Sequence, residues 1–388
     1  MSESVSILFA GGATGGHLFP GIAVVESLTR LSKVSGLGCR IGFVGQGTCL
    51  ERDEARARGY EYYAVPSVST LDVGRRPLRS LAAAWRSYCR ARRIVRRFEP
   101  TVVIGLGGFA SVPAVVAANR MRVPVMLLEQ NVIPGRATRW LSRRAARVCV
   151  AFAETRLALA RPDACRRTGN PVRGAGVGGV FEANDRKRLL LVLGGSQGSR
   201  SLNRAVPEAL GRIGVCGGGW RVVHQCGDHD PRLVESAYRE QGWEARVERF
   251  LECPPTLLAS SDLVVARAGA TTLAEMSCAG VAGVLVPYPF ASDDHQRANA
   301  AWYVERGAAR MVEETEGGGD WVGRLAGELG LLLDSESTRM ELSIAMSRLG
   351  WPNAADEVVG VLAELLGEPL GKCLSNPGVV RRVVDRAA

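Results

Sequence analysis

The chain is 388 residues long, 46% hydrophobic and 23% charged, with 49 Lys and Arg against 39 Asp and Glu and a formal charge of +10. That composition excludes a disordered chain, and the length exceeds what one hydrophobic core usually supports, so two domains are expected. The basic excess asks for an acidic partner: nucleic acid, an anionic membrane surface or a phosphorylated substrate.

In chain order, the apolar run Val5–Ala10 reads as a short buried strand, followed by the glycine stretch Gly11–Gly21, GGATGGHLFPG, and a helix over Pro20–Leu31. A strand, a glycine turn and a helix N-terminus form the unit that offers backbone N–H groups to a phosphate or diphosphate. The loop holds neither G-x-G-x-x-G nor the lysine of a P-loop. It holds His17, which suits a general base near neutral pH; the alternative is a ring that only caps the loop. No basic segment precedes the first apolar run, and no stretch has the roughly 18 uninterrupted apolar residues of a spanning helix. A cytoplasmic protein, or one attached to a surface without crossing it, is expected.

Further short strands are expected at Ile41–Val44, Thr101–Gly105, Val125–Leu128 and Val148–Phe152, each separated by enough chain for a crossover helix. This alternation predicts a parallel sheet with helices on both faces. Within it, Arg75–Arg97 carries nine arginines and no acid, and Leu78, Leu81, Trp85 and Tyr88 recur at helical spacing. Such a helix can meet anionic lipid in a membrane interface, or pack its stripe on its own sheet with the arginines in water. A second strand-to-helix glycine loop, GLGGFASVP, spans Gly105–Pro113.

After the poorly patterned stretch Gly169–Asn184 the alternation restarts. Leu189–Leu193 leads into GGSQGS, Arg221–His224 into QCGD, Leu263–Ala266 into RAGATT and Val284–Pro287 into YPFASDD. Two doubly wound halves are expected, with ligands outside the carboxyl ends of their strands and a cleft where the halves face. The ten cysteines form no CxxC pair and read as reduced. His224, Cys226 and His229 are a candidate zinc cluster that lacks a fourth ligand at structural spacing. The second half has no DxD-like pair after a strand, and Asp293 and Asp294 read as sugar-hydroxyl ligands, so neither a metal nor a cofactor is expected. Only Trp85 and Tyr88 interleave with the basic run, too few for base stacking, so nucleic acid is not expected as a partner.

The segments AGGATGGHLFPGIAV, GLGGFASVPAVVAA, LEQNVIPGRATRWLSRRAARVCVAF, TGNPVR, LGGSQGSRSLN, ARAGATTLAEM and PYPFASDDHQRANA follow one another between Ile7 and about Val359. Together they resemble the motifs of the MurG family, the N-acetylglucosaminyltransferases that complete the lipid-linked disaccharide of bacterial peptidoglycan. The resemblance implies an α/β GT-B fold of two Rossmann-like doubly wound domains facing a cleft. Residues 1–172 with about 351–388 would form the acceptor and membrane-associated domain, and 173–350 the UDP-GlcNAc-binding domain. Trp351–Leu366 would be a helix returning to the first domain. The implied reaction is inverting transfer of GlcNAc from UDP-GlcNAc to the 4-hydroxyl of the muramoyl sugar of undecaprenyl-diphospho-muramoylpentapeptide. It would run on a peripheral protein at the cytoplasmic face of the inner membrane.

Carried over residue by residue, the resemblance implies a donor site of Thr14, Gly15, Gly16, Asn131, Arg173, Ser196, Leu251, the run Ala270, Thr271, Thr272, Leu273, Ala274 and Glu275, and Gln296. Arg173 and Ser196 suit diphosphate oxygens, Glu275 the ribose hydroxyls, backbone atoms near Leu251 the uracil edge, and Gln296 and Asn131 the sugar. Gly12, Gly107, Gly108 and Ser111 would hold the acceptor diphosphate, and His17 would be the catalytic base. The chain departs from the family pattern at Ala13, Phe109, Thr271 and the basic tail Gly371–Ala388. Other GT-B members, a diacylglycerol glycosyltransferase or a UDP-GlcNAc 2-epimerase, are rival readings; EQN and GNPVR beside the TGGH loop argue against both.

Overall fold

The computed structural model describes residues 4–12, 14–35, 38–66, 77–174, 187–195, 198–214, 219–251, 254–315 and 319–367. The chain divides into two compact units, Met1–Gly176 with Pro352–Ala388, and Val177–Trp351. Ala13, Ser196, much of Gly169–Asn184 and the tail Gly371–Ala388 lie outside the described residues.

Among the described residues, the first unit has strands β1 (Ser4–Ala10), β2 (Gly38–Gly45), β3 (Glu61–Ala64), β4 (Val102–Gly105), β5 (Val125–Glu129), β6 (Arg147–Val150) and β7 (Cys165–Arg167). They form one parallel sheet in the order β3-β2-β1-β4-β5-β6-β7. The central strands β4 (VVIG) and β5 (VMLLE) are buried at every position, as short apolar runs covered by helices on both faces must be. The order reverses between β1 and β4, so the loops after these two strands leave for opposite faces and open a crevice at their carboxyl ends.

The helix after β1 runs Gly15–Ser35, five residues ahead of the start expected at Pro20. Proline is favoured at the first helical position, but here the Thr14 carbonyl already accepts from the N–H groups of His17 and Leu18 at 3.1 and 3.0 Å, closing a turn upstream of Pro20. One face of the sheet packs Ile7 and Phe9 against Ile22, Val25 and Leu28 of this helix and against Val358, Val359 and Leu362 of the helix Ala354–Leu366. That last helix therefore belongs to the first unit, and its Asp356 is bound by Ser27 and Arg30. The other face packs Leu8 and Val103 against the helices Pro77–Phe98 and Gly108–Arg120.

The arginine-rich stretch is helical over Pro77–Phe98; of its apolar stripe Tyr88 packs against the core, but Leu81 and Trp85 do not lie on the sheet. The buried positions are Ser80, Ser87, Ala91, Ile94, Val95 and Phe98, whereas Leu81 and Trp85 are 69% and 61% exposed. Arg75, Arg76 and the side chain of Leu78 lie outside the described residues.

The second unit repeats the plan. Among the described residues it has β8 (Arg188–Leu193), β9 (Trp220–Gln225), β10 (Ala245–Glu248), β11 (Leu263–Ala266), β12 (Gly283–Leu285) and β13 (Arg310–Met311). These are parallel in the order β10-β9-β8-β11-β12-β13, with the reversal between β8 and β11. Leu190 and Val192 meet Leu202, Val206 and Leu210 of the helix Arg200–Ile213, and Leu325, Leu329 and Leu332 of the helix Trp321–Asp334.

Candidate active site

In the first unit the carboxyl ends of β1, β4 and β5 converge. Gly11 and Gly12 after β1 have φ of +109° and +115°, and Gly107 and Gly108 after β4 have +98° and +68°, a region that side chains disfavour. The two loops touch: a Cβ on Gly11 would stand 2.8 Å from the Gly107 carbonyl oxygen. His17, in the first turn of the helix that begins at Gly15, lays its imidazole on the second loop. A Cβ on Gly107 would meet Nδ1 at 3.0 Å and Cε1 at 3.1 Å. The ring is held by Gln130, whose Oε1 is 3.2 Å from Nδ1, while the Gln130 Nε2 donates to the Leu106 carbonyl at 3.2 Å.

Glu129 organises the segment after β5. One of its carboxylate oxygens accepts from the Asn131 backbone N–H and side-chain amide, both at 3.1 Å, and the other from the Gly135 N–H at 3.1 Å. Buried Glu129 thus fixes Asn131 at the carboxyl end of β5. Thr14 and Gly16 are exposed at the start of their helix, whereas Gly12 and Gly15 are buried. Ser111 is 1% exposed and its hydroxyl donates to the Gly108 carbonyl at 2.8 Å, which braces the turn. Arg173 falls in the first unit, not the second, with its guanidinium carbon 3.5 Å from the centre of the Phe19 ring. Its Nε is buried without a hydrogen-bond partner.

In the second unit, the loop after β8 turns through Gly195 and Gly198, with φ of +87° and +75°, and Ser199 caps the helix Arg200–Ile213 by accepting from the Leu202 N–H. Gln225, at the end of β9, ties three strand ends together: its Nε2 donates to the Gly195 carbonyl at 2.8 Å and its Oε1 accepts from the Leu251 N–H at 3.2 Å. Leu251 therefore has its carbonyl, not its N–H, to offer a base edge. Gln296 accepts from the Tyr288 N–H at 3.0 Å, which orients its amide. The helix Ala270–Ala279 begins on Gly269 and presents the half-buried Thr272 and Glu275; Ala270 and Thr271 are buried in its first turn. Leu273 is fully buried with its N–H bonded to the Gly269 carbonyl, and Ala274 is 9% exposed, so within that run both side chains pack inward.

Sequence reasoning missed Arg267. Its guanidinium, 7% exposed, donates to the Val286 and Pro287 carbonyls, to Ser199 and Ser201 and to Glu314, bracing the loops after β8, β11, β12 and β13. The His224 cluster is not a zinc site. His224 is fully buried with Nδ1 2.7 Å from the Tyr238 hydroxyl and Nε2 3.0 Å from Asn203 Oδ1, and burial pushes its pKa down to about 3.

Comparison with known proteins assigns these features. Residues 7–150 match the glycosyltransferase family 28 N-terminal domain and residues 189–342 the glycosyltransferase family 28 C-terminal domain. The chain is 37% identical over 383 residues to the UDP-N-acetylglucosamine--N-acetylmuramyl-(pentapeptide) pyrophosphoryl-undecaprenol N-acetylglucosamine transferase of Anaeromyxobacter dehalogenans, covering 96% of this chain and 97% of that one. Among solved structures it superposes on MurG of Acinetobacter baumannii with a TM-score of 0.72 and 27% identity, over 93% of this chain and 99% of that one. A putative UDP-N-acetylglucosamine 2-epimerase of Listeria monocytogenes shares the fold at a TM-score of 0.67 but only 13% identity, over 94% and 97% of the two chains.

Proposed function

The chain belongs to the MurG family within glycosyltransferase family 28, and from that premise we propose how its parts share the reaction. It is a UDP-GlcNAc-dependent glycosyltransferase of peptidoglycan synthesis, transferring GlcNAc to the lipid-linked muramoylpentapeptide. The first unit takes the acceptor. Its diphosphate is met by the glycine loops at Gly12 and at Gly107–Gly108, beside the N-termini of the helices Gly15–Ser35 and Gly108–Arg120, whose dipoles favour negative charge there. The second unit takes UDP-GlcNAc, with the N-termini of the helices Arg200–Ile213 and Ala270–Ala279 as anion sites, Glu275 on the ribose and Gln296 on the sugar.

His17 acts as the general base. The observation that carries this reading is its ring, clamped by Gln130 against the Gly107–Gly108 turn. In an inverting displacement the acceptor 4-hydroxyl gives its proton to the imidazole while its oxygen bonds to C1 of GlcNAc. The C1–O bond to UDP breaks, and the electron pair stays on the β-phosphate. Arg173 and the helix N-termini stabilise that charge. Incubating the protein with UDP-GlcNAc and lipid-linked muramoylpentapeptide should yield a β-linked disaccharide and UDP. Turnover of UDP-GlcNAc without acceptor, or an α linkage, would overturn the scheme.

Among the described residues no helix is long and apolar enough to cross a membrane, yet the acceptor carries a polyprenyl tail. The helix Pro77–Phe98 is the docking face for the cytoplasmic side of the membrane. Exposed Leu81 and Trp85 lie there beside exposed Arg86, Arg90, Arg92 and Arg93. The helix Gly108–Arg120 packs on it and bears exposed Phe109, and the next helix, Arg136–Leu141, bears exposed Trp140.

A further inference from the structure

We propose that Gln130 is a positioning residue that sets the tautomer of His17: it holds the imidazole proton on Nδ1, so that Nε2 is the nitrogen that takes the acceptor's proton. The proposal deepens, and rests on, the reading of His17 as general base. It follows from the donors and acceptors around one buried amide. The Leu106 carbonyl can only accept, so the end of Gln130 lying 3.2 Å from it is the NH2 group. The carbonyl end must then face His17, and Oε1 is 3.2 Å from Nδ1. An amide oxygen only accepts, so Nδ1 carries the hydrogen and the lone pair is on Nε2.

The amide has little room to reverse. Gln130 is 3% exposed, and a flip would set its oxygen against the Leu106 oxygen. Leu106 is itself fixed, because its N–H donates to the Ala10 carbonyl at 2.8 Å at the end of β1. Gln130 follows β5, Leu106 follows β4 and His17 follows β1, so the amide bridges three neighbouring strands of the sheet. The glycine turn completes the cradle: a Cβ on Gly108 would stand 3.6 Å from Cδ2 and 3.7 Å from Nε2, so the edge of the ring that bears Nε2 also lies along the turn. That turn is where the acceptor diphosphate is placed above. The fixed tautomer therefore brings a proton acceptor to the acceptor side of the first unit. Because Gln130 is neutral, it orients the ring without adding negative charge beside it. When Nε2 takes the hydroxyl proton, Oε1 still accepts from Nδ1–H, and the extra proton leaves to solvent after transfer.

The test reads the protonated nitrogen directly. In the full-length protein with 15N-labelled imidazoles there are four histidines to resolve, His17, His224, His229 and His295, and the His17 signals are those lost in His17→Ala. Above its titration range, His17 should show the Nδ1–H pattern; an Nε2–H pattern in the wild type overturns the proposal. Gln130→Glu, which keeps an acceptor toward Nδ1, should preserve that pattern, although its second oxygen meets the Leu106 carbonyl and lowers turnover. Gln130→Met should lose it and lower kcat by roughly 10-fold or more, part of the ~100-fold or greater contribution of a positioned base, with KM for UDP-GlcNAc little changed. An unchanged tautomer in Gln130→Met overturns the proposal as well. Normal turnover in His17→Ala would overturn the catalytic half while leaving the tautomer assignment standing, which tells the two failures apart.

Discussion

Removing Arg267 should cost the second unit more than any other single polar substitution described above. The guanidinium donates to the Val286 and Pro287 carbonyls at 3.1 Å each, to Ser199 at 2.8 Å, Ser201 at 2.6 Å and Glu314 at 2.7 Å. With side-chain exposures of 8% and 17%, Arg267 and Glu314 are mostly shielded from water. Arg267→Met leaves the Glu314 carboxylate without its cation and two carbonyls without donors. Breaking a buried pair in this one-sided way typically costs about 3–5 kcal/mol. In a unit of 175 residues (351 − 177 + 1), each kcal/mol corresponds to roughly 2–4 °C of Tm. The unfolding transition of the second unit should therefore fall by roughly 6–20 °C. Arg267→Met with Glu314→Gln should regain a large part of the loss, because no unpaired charge remains. Ser199 caps the helix placed at the UDP diphosphate, so the single variant should also bind UDP more weakly at temperatures where it is folded. Scanning calorimetry with UDP titration measures both. A loss below about 1 kcal/mol, the range of exposed ion pairs, or a double variant no more stable than the single, would refute the reasoning.

Four further outcomes are expected. His17→Ala should lower turnover roughly 100-fold or more while UDP affinity, measured by titration, stays near the wild-type value. Gly107→Ala puts a methyl 3.0 Å from the His17 Nδ1 at a φ of +98°; it should cost about 1–3 kcal/mol in backbone strain and displace the ring, so unfolding midpoint and kcat should fall together. His224 stays neutral in the fold down to about pH 3, whereas the unfolded chain takes up its proton below about 6.5. The second unit should thus lose stability as pH falls through that window, by at most about 1.4 kcal/mol per pH unit, and His224→Gln should flatten the slope in denaturant titrations. Changing Arg86, Arg90 and Arg93 to Gln should weaken co-sedimentation with anionic vesicles at low salt; equal binding to neutral vesicles, or no loss in the triple variant, would move the membrane face elsewhere.

The sequence was most readable where burial on both faces leaves only apolar residues. The nine strand runs expected from Val5–Ala10 to Val284–Pro287 each overlap a strand of the two sheets, Val148–Phe152 and Val284–Pro287 running two residues past its end. The unread strands β3 (EYYA), β7 (CRR), β10 (ARVE) and β13 (RM) are the four sheet edges, where half-exposed polar residues erase the apolar signal. The site divides in the same way. Glycine loops announce themselves because positive φ and close backbone approach restrict the residue type, so Gly11, Gly12, Gly107 and Gly108 could be singled out. Gln130 and Arg267 could not. Each acts by bonding atoms from strands far apart in the chain, Gln130 reaching a histidine 113 positions away, and nothing in a glutamine or an arginine records which strand end it will meet. Leu273 and Ser111 are buried, since a motif names a run of residues whereas a helix turns about every third or fourth member of that run inward.

The arginine-rich helix shows what the fold adds to two readings that the sequence left open. At about 100° per residue, Leu81, Trp85 and Tyr88 share one direction, whereas the buried Ser80, Ser87, Ala91, Ile94 and Phe98 centre roughly a third of a turn away. A helix that packed its stripe on its own sheet would bury Leu81 and Trp85 and use few small polar residues there. This one seats two serines against the domain, and Ser87 donates its hydroxyl to the Pro66 carbonyl at 2.5 Å. Two large apolar side chains, Leu81 and Trp85, are then left mostly outside, Trp85 leaning on Tyr88 with ring centres 5.6 Å apart. The arginines at positions 86, 90, 92 and 93 project from the exposed side of the helix. Burying even half of each exposed side chain would contribute about 1–1.5 kcal/mol, and each arginine near an anionic surface on the order of 1 kcal/mol. Neither suffices alone for stable attachment; together they give several kcal/mol, a reversible anchor whose charged part weakens with salt. An enzyme that must release one lipid-linked substrate and find the next gains from an anchor of that strength, whereas a spanning helix would hold it permanently.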